Sequence, residues 1–347
     1  MKMDNTTVID FLTKEDHTNK LVRERLLAPI VYLIIVLIIG IPGNTFVLII
    51  YRNCNNNVYR KIIWTIGALD LVFVMIGSPF NLGRMFNYYN FKSLRACQVI
   101  AGMLDAGIIT TAHLLMLLSV HRFRQVCLPL GRQLTLTTVS YFIAGCFAIG
   151  VILGIPQIAV FQPLATTDLG NNVTGYSCSV GWKDSPQSWK NYNTFLTSIF
   201  LLYALILLVL YILIGRTIQI QKNKRKKELQ GKQLQPAKST NDSHKMTKIA
   251  FTVSTVFAFS YLPLFVNEWA TKGLNEKKMD LFTFSLLKIV QRAYLINHVV
   301  NPFIYATFDR RFRHQVKHLI VYRRMHKEKV CDSDSSATKP STSATSV

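Results

Sequence analysis

Seven stretches of this chain, residues 29–51, 62–86, 96–120, 138–161, 194–215, 248–270 and 281–307, are each apolar over about the twenty residues a helix needs to cross a bilayer core. Backbone polar groups must be satisfied internally in lipid, so the pattern predicts an all-α integral membrane protein, a bundle of seven transmembrane helices. The first stretch, from Pro29 to Ile50, is the clearest. The seventh is the weakest, because Lys288, Arg292, Asn297 and His298 interrupt it. Half of the 347 residues are apolar and 17% are charged, with a mean hydropathy of +0.25, which argues against a soluble enzyme. Residues 1–28 are polar and show no short apolar run ending in a cleavage site, so the first span is expected to direct insertion itself.

Charge orients the bundle. Segments 52–61, 121–137, 215–248 and 306–347 hold 25 of the 40 Lys and Arg but only six of the 18 Asp and Glu. The positive-inside rule makes that face cytoplasmic and the N-terminus extracellular, as for a multi-pass protein of the plasma membrane. The net charge of +22 therefore reflects sorting between spans. The run Lys222-Asn-Lys-Arg-Lys-Lys227 reads as a solvated loop that touches anionic lipid, and nucleic-acid binding is disfavoured.

The glycosylation acceptors Asn5 and Asn172 fall on the outer side, whereas the sequon at Asn241 falls inside and is expected to stay bare. Cys97 opens the third span and Cys178 precedes the fifth, both in the oxidising compartment, and one bridge between them is expected. Cys54, Cys127 and Cys331 face the reducing cytosol, and Cys146 reads as a packing residue. No internal repeat, phosphate-cradling loop or nucleophile elbow is present, so enzyme chemistry has no visible carrier. Residues 1–28 form the outer N-terminal tail and 29–307 the bundle. In 308–320 Phe308, Phe312, Val316 and Leu319 recur at helical spacing among Arg310, Arg311, Arg313 and Lys317, an amphipathic eighth helix on the inner leaflet. The tail 321–347 lacks the apolar content to fold.

Polar groups at membrane depth carry most of the functional information. Asp70 lies mid-way through the second span, with Asn44, Thr111, Asn297 and Asn301 at a similar depth. The cluster reads either as a hydrated cation site or as a hydrogen-bonded network without an ion.

The ordered set Gly43-Asn44, Leu69-Asp70, Cys97, Ser119-Val-His-Arg122-Phe123, Pro129-Leu130, Pro156, Tyr211, Phe257, Ser260-Tyr-Leu-Pro263 and Asn301-Pro302-Phe-Ile-Tyr305 followed by Phe312 resembles the rhodopsin-like (class A) G-protein-coupled receptors over about residues 29–320. The resemblance implies that Arg122, Tyr211 and Tyr305 line a cytoplasmic cleft that opens to a heterotrimeric G protein, and that Phe257 and Tyr261 form the switch beneath the ligand. If the cluster holds a cation, an allosteric sodium ion among Asp70, Thr111, Asn297 and Asn301 is the one expected, against the ion-free network, and no other cofactor is expected. Pro263 and Pro302 each remove a helical hydrogen bond and read as hinges, against static kinks.

The chain departs from the family pattern at several positions. His121 stands where an acid usually precedes Arg122, Phe123 replaces a tyrosine, Tyr261 and Cys146 replace tryptophans, and Tyr203 replaces a proline. The chain looks like a diverged member, of an invertebrate, orphan peptide-receptor type. Loss of the acid at 121 implies a weakened resting lock and raised basal activity, or a pH-sensitive lock through His121. The position of the family's amine-binding aspartate falls on Leu104, with Asp105 next door and expected to be turned away, so a biogenic amine is disfavoured. The position of its retinal lysine is Leu295, which excludes an opsin.

In the outer half, Arg84, Lys288 and Arg292 with Glu268 and Gln291 form a mostly basic set for a carboxylate or an acidic peptide, or else snorkel and pair with one another. The long loop bearing Cys178 suits a peptide, so a neuropeptide is the expected ligand. Ser333, Ser335, Ser336, Thr338 and the run to Ser346 offer phosphorylation sites for an arrestin, or are the ordinary composition of a disordered tail. The terminal Thr345-Ser346-Val347 suits a PDZ domain, a match short enough to arise often by chance. Rival readings are a non-signalling scavenger of the same fold, a small acidic-ligand receptor, and a transporter or channel; the last leaves the motif set unexplained.

Overall fold

The computed structural model of the protein describes residues 5–52, 57–160, 165–170, 172–178, 186–229, 238–270 and 279–321. Its elements are α1 (Asn5–Glu24), α2 (Leu27–Arg52), α3 (Val58–Phe86), α4 (Leu94–Cys127), α5 (Leu136–Val160), β1 (Ala165–Asp168), β2 (Thr174–Ser177), α6 (Gln187–Leu229), α7 (Lys238–Ala270), α8 (Leu281–Val290), α9 (Tyr294–Phe308) and α10 (Arg310–Val321). Helices α2 to α7 are each long and apolar enough to cross a membrane, and α8 is a shorter apolar helix. With α8 and α9 forming a seventh crossing, the protein is an all-α multi-pass membrane bundle. Its outward face is greasy, with Ile38, Phe142, Leu205 and Phe259 exposed.

Lipid gives helices no hydrophobic reason to associate, so close backbone approach at small residues takes over. The α4–α5 crossing shows this. A Cβ on Gly150 would run into Thr110 Oγ1 and stand 2.7 Å from the Ala106 carbonyl oxygen, and one on Gly154 would stand 2.7 Å from Ala106 Cβ. On the other side of α4, Leu114, Leu115 and Leu118 join the buried core with Phe73 of α3 and Phe257 of α7.

Three elements differ from the sequence expectation. The polar N-terminal segment is helical, its register supported by Lys14 Nζ on Asp10 Oδ2 at 3.2 Å and by Thr18 Oγ1 donating to the Lys14 carbonyl at 2.9 Å. The basic run is not a loop: Lys222 and Lys224 are exposed on the last turns of α6, a helix of 43 residues. At 1.5 Å per residue that is about 65 Å, roughly twice the bilayer core, so the helix continues into water.

The seventh crossing is broken at residues 291–293. There Arg292 N donates to the Ile289 carbonyl and Ala293 N to the Val290 carbonyl, a tightened turn. The Lys288 carbonyl, released by the break, accepts from Arg292 Nη1 at 2.8 Å, and the Arg292 carbonyl accepts both from Leu295 N and from Tyr32 OH, each at 3.0 Å. Asp280 caps α8 by accepting from Thr283 N at 3.0 Å, which holds its carboxyl below the usual carboxylate range.

At the far end α10 is amphipathic, with Phe312 buried against the bundle. Asp309 fixes the corner: its Oδ1 accepts from Arg311 N at 2.9 Å and its Oδ2 from Tyr51 OH at 2.8 Å.

Candidate functional site

The functional side chains fall on three levels. At the first, a disulfide joins Cys97 at the start of α4 to Cys178, with the Cα atoms 5.8 Å apart. It anchors the β1–β2 hairpin, in which Thr166 pairs with Tyr176 and Asp168 with Thr174. Gly170 supplies the turn with a φ of 91°, and exposed Asn172 follows at 62°. Backbone bonds from Phe91 N to the Tyr176 carbonyl and from Tyr176 N to the Tyr89 carbonyl add the hairpin to the α3–α4 connection. Helix α1 lies against the same end, with Lys14 Nζ 5.6 Å from the centre of the Tyr176 ring and Lys92 Nζ 4.6 Å from that of Phe11.

The basic set is partly brought together at this end. Lys288 and Arg292 are 6% and 7% exposed, low values for cations. Arg292 Nε donates to Asn81 Oδ1 at 3.1 Å, and Asn81 Nδ2 to Tyr294 OH at 3.1 Å; Lys288 Nζ lies over the rings of Tyr88 and Phe284. Arg84 stands 5.6 Å from the Phe80 ring centre, and Gln291 caps the end of α8. The side chain of Glu268 lies outside the described residues.

Leu104 is buried, as its place facing α3 requires. Asp105 corrects the expectation that it turns away: it lines a cavity of about 140 Å³ with His113, Asn193, Phe200, Tyr203 and Phe257. Within that wall His113 Nδ1 donates to the Ile109 carbonyl at 2.7 Å, and its Nε2 pairs with Tyr203 OH at 2.8 Å. Tyr203, which replaces a proline of the family pattern, thus ties α6 to α4.

At the second level Asp70 is fully buried. Its Oδ1 accepts from His298 Nδ1 at 2.7 Å and its Oδ2 from Asn301 Nδ2 at 2.6 Å. His298 Nε2 pairs with Tyr261 OH at 2.8 Å, and the His298 ring stacks on Phe73 with centroids 3.9 Å apart. Asn44 Nδ2 donates to the His298 carbonyl at 2.7 Å. Of the other expected members, Thr111 Oγ1 donates back to Gly107 of its own helix at 3.0 Å, and the buried Asn297 amide makes no hydrogen bond among the described residues. Tyr261 also meets Phe257, ring centres 4.6 Å apart, which in turn reaches Phe200 at 6.0 Å. Pro263 lies one turn beyond Phe259 within α7, and Pro302 sits within α9 beside Gly43, where a Cβ would come within 2.9 Å of its ring.

At the third level Arg122 is 2% exposed, so this end of the bundle is shut. Its guanidinium lies 4.2 Å from the centre of the Tyr59 ring, and Nη1 donates to Gln125 Oε1 at 2.7 Å. His121 is buried and neither of its ring nitrogens makes a hydrogen bond among the described residues. Tyr211 OH bridges Ser119 Oγ at 2.8 Å and Ser254 Oγ at 3.0 Å, tying α6 to α4 and α7. Tyr305 packs edge-on to Tyr51 and Phe312. The side chains of Asn5 and of Asp242, the acid near the foot of α7 closest to a substitute for the one missing at 121, and the whole of Cys54, Cys331 and the Ser/Thr-rich tail, lie outside the described residues.

Sequence reasoning missed His298, Tyr51, Tyr59, Ser119, Ser254 and Asp309 as members of these clusters. For His298 a signal existed. It stands three residues before Asn301, on the same face of α9, and an ionisable side chain at membrane depth needs a partner. Tyr59 and Tyr51 give none, because they meet Arg122 and Asp309 only through tertiary packing.

Residues 43–305 match the model of the seven-transmembrane receptor (rhodopsin family). The chain is 25% identical over 272 residues to the mesotocin receptor of Rhinella marina, a match covering 72% of this chain and 66% of that receptor. It is 23% identical to the tachykinin-like peptides receptor 86C of Drosophila melanogaster, covering 82% of this chain and 57% of that receptor. It is 24% identical to apelin receptor A of Danio rerio, covering 83% and 80%. The matches thus span between about half and four fifths of the relatives' length, and less than two thirds of the first two named. A family match across most of the chain agrees with the disulfide at one end of the bundle and the buried Arg122 at the other, and the chain belongs to the rhodopsin family of seven-transmembrane receptors.

Proposed function

We propose that the chain is a peptide receptor of the plasma membrane, with its N-terminus and hairpin outside, that activates a heterotrimeric G protein when the Arg122 end opens. The observation that carries this is a pair of contact networks, one running from the cavity to the midplane and one closing the Arg122 end. Phe257 and Tyr261 sit between the cavity and the midplane cluster, and Tyr211 with Ser119 and Ser254 holds the Arg122 end shut. Pro263 and Pro302 interrupt the two helices that would move, and an agonist need only bind the open packing better. Relatives whose names are those of peptide receptors, together with the hairpin held over the bundle, favour a peptide ligand, with Arg84, Lys288, Gln291, Arg292 and Asp105 as contacts. Within this reading Asn5 and Asn172 carry glycans, α10 lies on anionic inner-leaflet lipid, and the tail engages an arrestin and, through its last residues, a PDZ protein.

The test is nucleotide exchange on G proteins in membranes containing the wild type or Arg122→Ala, with a panel of amidated and free-acid peptides. Basal and peptide-evoked exchange is expected to fall at least tenfold in Arg122→Ala at equal surface density. Equal exchange in the two rejects the coupling role. One observation favours a second reading, a ligand scavenger that does not couple: His121 replaces the acid beside Arg122 and makes no hydrogen bond among the described residues. Peptide uptake without exchange by any G protein would establish it.

A further inference from the structure

We infer that the imidazole of His298 occupies the place of a monovalent cation at Asp70, so that the midplane of this receptor is closed by a side chain and holds no sodium ion. A sodium ion among Asp70, Thr111, Asn297 and Asn301 is one of the two readings of this cluster, and the residues present do not fit one. A buried cation needs the carboxylate's charge at contact distance. Both Asp70 oxygens already have donors at contact distance, His298 Nδ1 at 2.7 Å and Asn301 Nδ2 at 2.6 Å. The hydroxyl of Thr111 points back to Gly107.

The ring is not placed to swing aside. Phe73 stacks on one face with an interplanar angle of 15°, Tyr261 holds Nε2, and Asp70 and His298 are both 0% exposed at their side chains. An entering ion would break the bonds to Asp70 and Tyr261 and the stacking together. The buried side-chain oxygens of Asn44, Asn297 and Asn301 accept no hydrogen bond among the described residues. They are neutral acceptors, which water satisfies without the charge a buried cation requires. The same ring bonds α3 to α9 through Asp70 and α7 to α9 through Tyr261, so a side chain does the cross-linking that an ion would do.

The experiment titrates the purified full-length protein with sodium chloride against choline chloride at constant ionic strength and follows its melting temperature. The wild type is expected to show no sodium-specific shift. His298→Ser, which removes the ring and leaves an oxygen, is expected to gain a saturable rise of about 2–4 °C, abolished when Asp70→Asn is added. A sodium-specific rise in the wild type that Asp70→Asn removes overturns the inference. So does a folded His298→Ser that ignores sodium. Should His298→Ser not fold, His298→Ala replaces it, and the wild-type arm decides without either. No arm requires a ligand or a G protein, so failure here leaves the proposed receptor function standing, and the reverse holds too.

Discussion

Among the described residues, His121 is buried with two unsatisfied ring nitrogens directly before an arginine that has no acidic hydrogen-bond partner. Such groups raise the energy of the shut state, since a buried donor or acceptor left unbonded costs about 1–3 kcal/mol. His121→Asp restores a carboxylate beside Arg122, and a charge-assisted bond of about 1.5 kcal/mol corresponds to about tenfold in a two-state population. Basal nucleotide exchange in His121→Asp is therefore expected to fall about tenfold at matched expression; equal basal rates in the two proteins would show that the acid's absence does not set the resting state. The two histidines also mark how far residues can be read from sequence. The departure at 121 is visible from its neighbour, Arg122. The role of His298 depends on Asp70, 228 positions away, and on the ring of Phe73, which only the packing brings to it.

At the scale of elements, helices α4 and α5 meet where Gly150 and Gly154 leave no room for a side chain. Gly150→Leu is expected to destabilise the bundle by about 1–3 kcal/mol, seen as a melting temperature lower by roughly 2–8 °C. Gly145→Leu is the matched control, because a Cβ there meets nothing within 4 Å, and it is expected to melt like the wild type. A loss equal at the two positions would point to glycine's backbone rather than to the crossing. The crossings themselves were legible, because each apolar stretch reports the thickness of the bilayer core. Their ends were not. Lys and Gln are good helix formers in water, so α6 carries on where hydropathy stops counting. At the break in the seventh stretch the side chain of Arg292 serves the Lys288 carbonyl and Tyr32 of α2 adds a bond to the Arg292 carbonyl, tertiary contacts no local pattern announces. The segment before α2 is polar on average, and Val8, Phe11 and Leu12 at helical spacing are too short a pattern to announce the twenty residues of α1.

For the whole molecule, the bridge between Cys97 and Cys178 closes a loop of 81 residues. In free solution a loop of that length is worth about 4 kcal/mol by the chain-entropy account. In a bilayer the unfolded chain keeps its spans and much of that closure, so less is at stake globally and more locally. Reduction is expected to open residues 165–178 to limited proteolysis at least tenfold faster, with helical circular dichroism unchanged. Continued protection of the hairpin would show that its pairing to residues 89–91 and its contact with α1 are sufficient.

Helix α1 has a separate consequence, one of time rather than strength. It rests against the hairpin through Lys14 and Tyr176 and against the α3–α4 connection through Phe11 and Lys92. A cover that must lift for a molecule to enter must lift again for it to leave. It therefore raises one barrier shared by both directions, slowing arrival and departure by the same factor while the equilibrium between them stays where it was. On the receptor reading proposed above, a peptide that has to pass beneath α1 would bind to and leave the wild type more slowly than a protein lacking residues 5–24, at an unchanged equilibrium constant.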